Sequence, residues 1–450
     1  ASFLIYIRRR NAEVPTEFQV WGSWLGAGES SEKGAGKAEA SERPHVEVEL
    51  TTPEGKELSA ALAEQPELID AAEVLGDIIA QASSKNARAV RIEPAQSEYG
   101  VLFRLDGMMH KVDALSADMG KAIVTCVARF LGLGKGKTQG QIAASLPDGE
   151  EVPMRVKGQK SNGGAALLFS LPDWDQDIYR EGLGGLGMHQ AMAERVEKMV
   201  EATGRALLFT GPAQSGKTST FHAAISQIDI FTTDVFTLES TLTHELDQVR
   251  RKKVDVSSQE AVGEVLPAIL REEPDVIGLD ELTSPGVAVP LLEFCADDGR
   301  IMMTLKADSS PEALARLASA LDGQLLARTL AGVINQRLIR TLCPACKEPV
   351  EPKPQLLKKL KINPAEPGTW FQAVGCEECL DIGFKGRTAL FEMLVVNDKT
   401  RQLLNRSETS PQKFKNTAGK QALRTLHQDA LLKIQQGETT LEEVRRVLRK

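Results

Sequence analysis

The chain has 450 residues, 42% of them hydrophobic, and 54 Lys plus Arg against 62 Asp plus Glu, for a net charge of −8. That length corresponds to about three structural units at roughly 150 residues each, and the apolar content can give each a core. Collagen, a wholly disordered chain and a disulfide-stapled miniprotein are excluded, and the acidic balance lacks the basic face of a general nucleic-acid binder.

Residues 1–46 form an N-terminal segment and linker. Phe3-Leu4-Ile5-Tyr6-Ile7 runs into Arg8, Arg9 and Arg10, which reads either as a disordered tail or as the cytoplasmic end of a truncated membrane anchor. Residues 26–45 are dominated by Gly, Ala, Ser, Glu and Lys with no hydrophobic period, the composition of a flexible linker. A small α+β domain is expected over 47–180. Ile69, Val74, Leu75, Ile78 and Ile79 recur at helical spacing. Ala87 to Glu93 alternates like a strand and stops at Pro94. Gly100 to Leu105 then reaches Asp106-Gly107, a hairpin signal, and resumes over Met108 to Val112.

From Gly204 the pattern changes. Apolar runs at Ala206 to Phe209, Val235 to Leu238, Val276 to Leu279 and Ile301 to Met303 are separated by helix-length segments. They imply βαβ units and a mostly parallel sheet over 181–330. Residues 331–397 hold two cysteine pairs, and 398–450, with Leu403, Leu404, Leu426, Leu431, Leu441 and Val444, read as a helical cap.

The strongest motif is GPAQSGKT at 211–218, which satisfies G-x-x-x-x-G-K-[ST] between a buried strand and a helix. Backbone N–H groups of such a loop turn inward around a polyphosphate, and the helix adds its positive dipole end. The candidate cradle is Gly211, Pro212, Ala213, Gln214, Ser215, Gly216, Lys217, Thr218 and Ser219. Lys217 supplies a charge to the β- and γ-phosphates of ATP, and the Thr218 hydroxyl can bind Mg²⁺. Val276-Ile277-Gly278-Leu279-Asp280-Glu281 is an apolar run ending in two acids, a Walker B pattern. One acid can hold the metal while the other polarises the attacking water, and Glu239, ending another apolar run, is a second candidate. Each also reads as a solvated strand end.

Cys343-Pro344-Ala345-Cys346 and Cys376-Glu377-Glu378-Cys379 offer four thiolates in two chelating turns across a 29-residue gap. Zn²⁺ accepts such a set tetrahedrally, and with all positions filled by protein the metal is structural. Paired cysteines of this kind suit a reducing, cytosolic compartment. Cys126 and Cys295 are expected in the core. His45, His110, His189, His222, His244 and His427 show no ligand spacing and read as surface or core residues.

From about residue 68 onward these motifs, in order, resemble the secretion ATPases of bacterial type II secretion and type IV pilus assembly. Phe103-Arg104-Leu105-Asp106-Gly107 resembles part of that family's PAS-like domain, TGPAQSGKTST its Walker A, Thr237-Leu238-Glu239 the start of its Asp box, and Arg271 through Glu281 its Walker B region. Asn335-Gln336-Arg337-Leu338 through Cys343-Pro344, then Gly383 to Thr388, resemble its tetracysteine zinc segment. The resemblance implies a RecA-like P-loop fold in a hexameric ring of identical chains, cytoplasmic and peripheral at the inner membrane. ATP-driven domain rotation would push an inner-membrane platform protein; the acidic balance and the absence of aromatic-basic interleaving disfavour a nucleic-acid partner. The resemblance implies water activation for Glu239, the Walker B role for Glu281, and Arg104 as a candidate cationic partner.

The chain departs from the family pattern at several points. Ser240-Thr241 replaces Asp-Pro, Leu282-Thr283-Ser284 follows Glu281 without the expected arginine, Lys306 replaces a histidine in Thr304-Leu305-Lys306-Ala307, and Leu167 to Ser170 lacks an arginine. An arginine completing such a site can contribute ~10³ or more in rate. A nucleotide-binding but catalytically impaired regulatory member is therefore the alternative reading.

Overall fold

The computed structural model describes residues 48–58, 68–134, 136–146, 149–161, 163–172, 178–242, 246–352, 354–355, 357 and 370–448. The anchor and linker expected in residues 1–46 lie outside the described residues. The chain divides into two compact units, Ala1–Trp174 and Asp175–Lys450.

The first unit is a small α+β fold. Its strands are β1 (Glu49–Thr51), β2 (Ala89–Pro94), β3 (Glu98–Leu105), β4 (Met108–Ser116), β5 (Gln139–Ser145), β6 (Glu151–Ser161) and β7 (Gly164–Ser170). They pair antiparallel in the order β1-β5-β6-β7-β2-β3-β4. The expected hairpin is present, with Asp106 at φ 49° and Gly107 at φ 82°, the left-handed pair that lets two strands meet without splaying. Helices α1 (Ile69–Ser84) and α2 (Ala117–Leu131) pack on each other. The first buries Leu75, Ile78 and Ile79, and the second Ile123, Val127 and Phe130. Ser116 accepts from the Met119 N–H at the start of α2, and Gly132 closes it at φ 61°.

The second unit is RecA-like, with a parallel-rich sheet in the order β10-β9-β11-β12-β8-β13-β16-β17. These strands are β8 (Arg205–Gly211), β9 (Val235–Glu239), β10 (Arg250–Lys253), β11 (Val276–Leu279), β12 (Arg300–Lys306), β13 (Leu330–Leu342), β16 (Phe384–Val395) and β17 (Leu423–Arg424). Strands β10 through β13 are mutually parallel, and β16 and β17 add antiparallel pairings. Helices α3 (Gln190–Glu201) and α4 (Lys217–Ile225) contribute Val196, Val200, Phe221 and Ile225 to one core cluster. Helices α5 (Gln259–Arg271), α6 (Pro285–Ala296), α7 (Ser310–Ala320) and α8 (Gly323–Thr329) contribute Leu266, Leu291, Leu314 and Leu326 to another. Two helical layers thus sandwich strands whose near-continuous apolar runs require burial on both faces.

The cysteine pairs are framed by this sheet. Strand β13 runs into Cys343, β14 (Lys347–Pro349) pairs with β15 (Phe371–Ala373), and β16 begins just after Cys379. Helices α9 (Asp398–Asn405), α10 (Pro411–Ala422), α11 (Leu426–Gln435) and α12 (Leu441–Leu448) close the chain. Buried Leu426, Ile434, Leu441 and Val444 seat the last two around Ile339 and Leu390. Among the described residues, no helix is long and apolar enough to cross a membrane.

Candidate functional site

In a parallel α/β sheet, ligands bind beyond the carboxyl ends of the strands, and that end of the second unit gathers the chemistry. Gly211 ends β8, Glu239 ends β9, Asp280 and Glu281 follow β11, and Lys306 ends β12. The loop from β8 to α4 turns on three residues of positive φ, Gly211 (158°), Gln214 (60°) and Gly216 (83°). A Cβ on Gly211 would lie 2.3 Å from Ser215 Oγ and 2.6 Å from the Gln336 carbonyl oxygen, so only glycine fits. Pro212 is half-buried, Ala213 and Gln214 are exposed, and Lys217, Thr218 and Ser219 are half-buried at the first turn of α4.

Within this loop Lys217 Nζ donates to the carbonyl oxygens of Pro212 (3.0 Å) and Gly211 (3.3 Å). Burial lowers the Lys217 pKa, with Glu281 and Asp280 pulling it upward and Lys306 pushing it down. Thr218 Oγ1 donates to Asp280 Oδ1 at 3.3 Å, which joins the hydroxyl that the sequence offered to Mg²⁺ to one of the two Walker B acids. Burial raises the Asp280 pKa, and the nearby Glu239 carboxylate adds to the rise. Lys306 Nζ lies 3.0 Å from Glu281 Oε1, so the lysine standing in the histidine position is paired with the second Walker B acid. Ser215 Oγ, 3% exposed, carries no hydrogen-bond partner. An orphaned hydroxyl in a loop of inward-turned backbone fits a missing acceptor such as a phosphoryl oxygen.

Glu239 has a different environment. It is fully buried and receives Thr237 Oγ1 (2.7 Å), Arg251 Nε (2.9 Å) and Arg251 Nη2 (2.8 Å), with His222 Nε2 at 3.0 Å. Burial pushes its pKa up, but the hydrogen bonds from His222, Arg251 and Thr237 outweigh this and hold it at about 2. Such saturation suits an anchored anion. His222 and Arg251 were not singled out for this site in the sequence. One follows the loop on α4 and the other sits on the all-basic strand β10, and nothing in their spacing links them to Glu239. Arg104 is half-buried on β3 of the first unit.

The four cysteines come together, with their sulfurs all within 4.8 Å of one another. Cys343 and Cys376 Sγ are 3.9 Å apart, while Cys346–Cys379 and Cys376–Cys379 are each 3.8 Å. A tetrahedral Zn–thiolate centre with bonds of about 2.3 Å requires S···S edges of about 3.8 Å, so the residues fit that ion. The Cys376 and Gly383 N–H groups each approach Cys379 Sγ at 3.2 Å, a second shell suited to a thiolate. Cys126 and Cys295 are buried in the cores, as their isolation implied.

Comparison with known proteins shows the family and the fold. The sequence profile of the family described as Type II/IV secretion system protein matches residues 65–446. Type II secretion system protein E of Pseudomonas aeruginosa is 30% identical over 407 residues, covering 87% of this chain and 80% of the relative. The type IV pilus assembly ATPase TfpB of Acinetobacter baylyi is 28% identical over 381 residues, covering 82% of this chain and 64% of the relative. Among solved structures, the ATPase DotB of Legionella pneumophila superposes with a TM-score of 0.56 at 16% identity, covering 83% of this chain and 94% of that one, a likeness of fold. With a profile match over most of its length, the chain belongs to the type II/IV secretion system protein family.

Proposed function

We propose that the chain is an ATP-hydrolysing motor serving type II secretion or type IV pilus assembly. The observation that carries this reading is the glycine-turned loop at the end of β8, with Lys217, Thr218, Asp280 and Glu281 converging around it. The loop amides cradle the polyphosphate, and Lys217 leaves the Gly211 and Pro212 carbonyls to meet the β- and γ-phosphates. Thr218 and Asp280 would hold Mg²⁺, which would supply positive charge against the phosphoryl oxygens. Glu281 orients the attacking water once Lys306 is drawn toward phosphate. Glu239 holds Arg251 and His222 in place below the site, so we assign it positioning in preference to the water activation implied by family resemblance.

Arg104 is a candidate cationic partner for the nucleotide in a hexameric ring, and the four cysteines hold a structural Zn²⁺. The partner is an inner-membrane platform protein, which places the chain in the cytoplasm at that membrane. A second reading, a nucleotide-binding regulator with impaired hydrolysis, draws on the Lys306–Glu281 pair, which neutralises the acid that must orient water. Turnover of Mg-ATP, measured alongside oligomeric mass and with a membrane-partner fragment present, separates the two. Hydrolysis above background supports the motor. Background turnover, with nucleotide still raising the melting temperature, supports the regulator.

A further inference from the structure

We infer that Gln336, deep in β13, is a positioning residue that sets the direction of the phosphate-binding amides. This rests on the nucleotide-binding reading of the loop. Gln336 is 1% exposed, and its Nε2 donates to the Ser215 carbonyl oxygen at 2.7 Å. The C=O and N–H of one trans peptide point in opposite directions. Holding the Ser215 carbonyl toward β13 therefore turns the Gly216 N–H away from the strand, into the loop where a phosphate would sit. Both loop glycines close on the same residue. A Cβ on Gly216 would lie 2.9 Å from Gln336 Nε2, and one on Gly211 would lie 2.6 Å from the Gln336 main-chain oxygen.

The strand itself is fixed on either side of this contact. Asn335 Nδ2 donates to Thr210 Oγ1 (2.9 Å) and to the Ala307 carbonyl (3.0 Å), tying β13 to the ends of β8 and β12. Arg340 Nε (3.0 Å) and Nη2 (2.8 Å) donate to Glu443 of α12. Gln336 Oε1, like Asn335 Oδ1, has no hydrogen-bond partner. A half-satisfied amide is a poor choice for core stability alone. Its single bond goes to the loop, and that bond is what the residue supplies.

The test uses the full chain as wild type, Gln336→Met and Gln336→Glu. Met keeps the length without a donor, and Glu keeps the shape but sets an acceptor against the Ser215 carbonyl. Calorimetric titration with Mg-ADP and Mg-ATP is expected to give Kd values about 10-fold higher for both nucleotides in both variants. The nucleotide-free melting temperature of Gln336→Met should stay close to that of wild type, because the partner lost by the Ser215 carbonyl is offset by removal of the orphaned Oε1. Wild-type affinity in a folded Gln336→Met chain would overturn the inference, as would an affinity loss that only tracks a lowered melting temperature. If Gln336→Met does not fold, Gln336→Glu carries the same test with the same outcomes. Absence of binding by wild type is read on the control alone and removes the nucleotide reading itself.

Discussion

Glu239→Gln separates a structural anchor from a catalytic base. The carboxylate is fully buried, its Arg251 partner has 12% of its side chain exposed, and its pKa falls from an ordinary 4.5 to about 2. That depression corresponds to about 3 kcal/mol of folding stability, and breaking a buried ion pair from one side costs about 3 to 5 kcal/mol by an independent route. Because the folded value lies below the unfolded one, the stabilisation is complete above about pH 5 and is lost as pH falls toward 2. Urea unfolding of wild type and Glu239→Gln at pH 7 should differ by about 3 kcal/mol, and the gap should close steadily between pH 5 and pH 2. Any Glu239→Gln chain that remains folded should bind nucleotide as wild type does. Equal stability at pH 7, or a gap independent of pH, would refute the reasoning. So would a variant of undiminished stability and nucleotide affinity that has lost hydrolysis, since that outcome returns water activation to Glu239.

Three further outcomes follow from the same geometry. Despite burial, Glu443, with a side chain 1% exposed, has its pKa held at about 2 by Arg446 and Arg340; Arg340→Ala leaves only Arg446, whose side chain is 43% exposed, so a loss of about 1 to 3 kcal/mol in denaturant unfolding is expected, with faster proteolysis at α12. Metal analysis should find about one Zn²⁺ per chain, and Cys376→Ser or a strong chelator should release it and lower the melting temperature. Lys306→Met breaks a pair whose partners have 59% and 28% side-chain exposure, so stability should change by less than about 1 kcal/mol while ATP binding weakens more than ADP binding, as calorimetry would read.

Local signals made much of this molecule legible before its fold was known. The loop at 211–218, the apolar runs of β8, β9, β11 and β12, the Asp106-Gly107 hairpin and the paired cysteines each declare themselves within a few residues, because turn chemistry, strand burial and chelate spacing are local constraints. What escaped is long-range. Arg250-Arg251-Lys252-Lys253 does not read as a strand, since four basic side chains offer no apolar period, yet as β10 it occupies a sheet edge, where charge is tolerated and protective. Arg251 acquires its meaning only when the parallel register of β10 against β9 brings it to Glu239. His222, uninformative as an isolated histidine, is set against the same carboxylate by the start of α4 at Lys217. Strand β13 was visible only as a motif beside the cysteines, whereas its pairing with β8 places Gln336 against the loop.

The most direct measurement is equilibrium binding of Mg-ADP to the purified wild-type chain and to Lys217→Ala. One nucleotide per wild-type chain is expected, with binding abolished in a variant that remains folded, because the loop amides alone leave the phosphate charge poorly compensated. Equal affinity in the two proteins would contradict the assignment of residues 211–219 as the phosphate cradle.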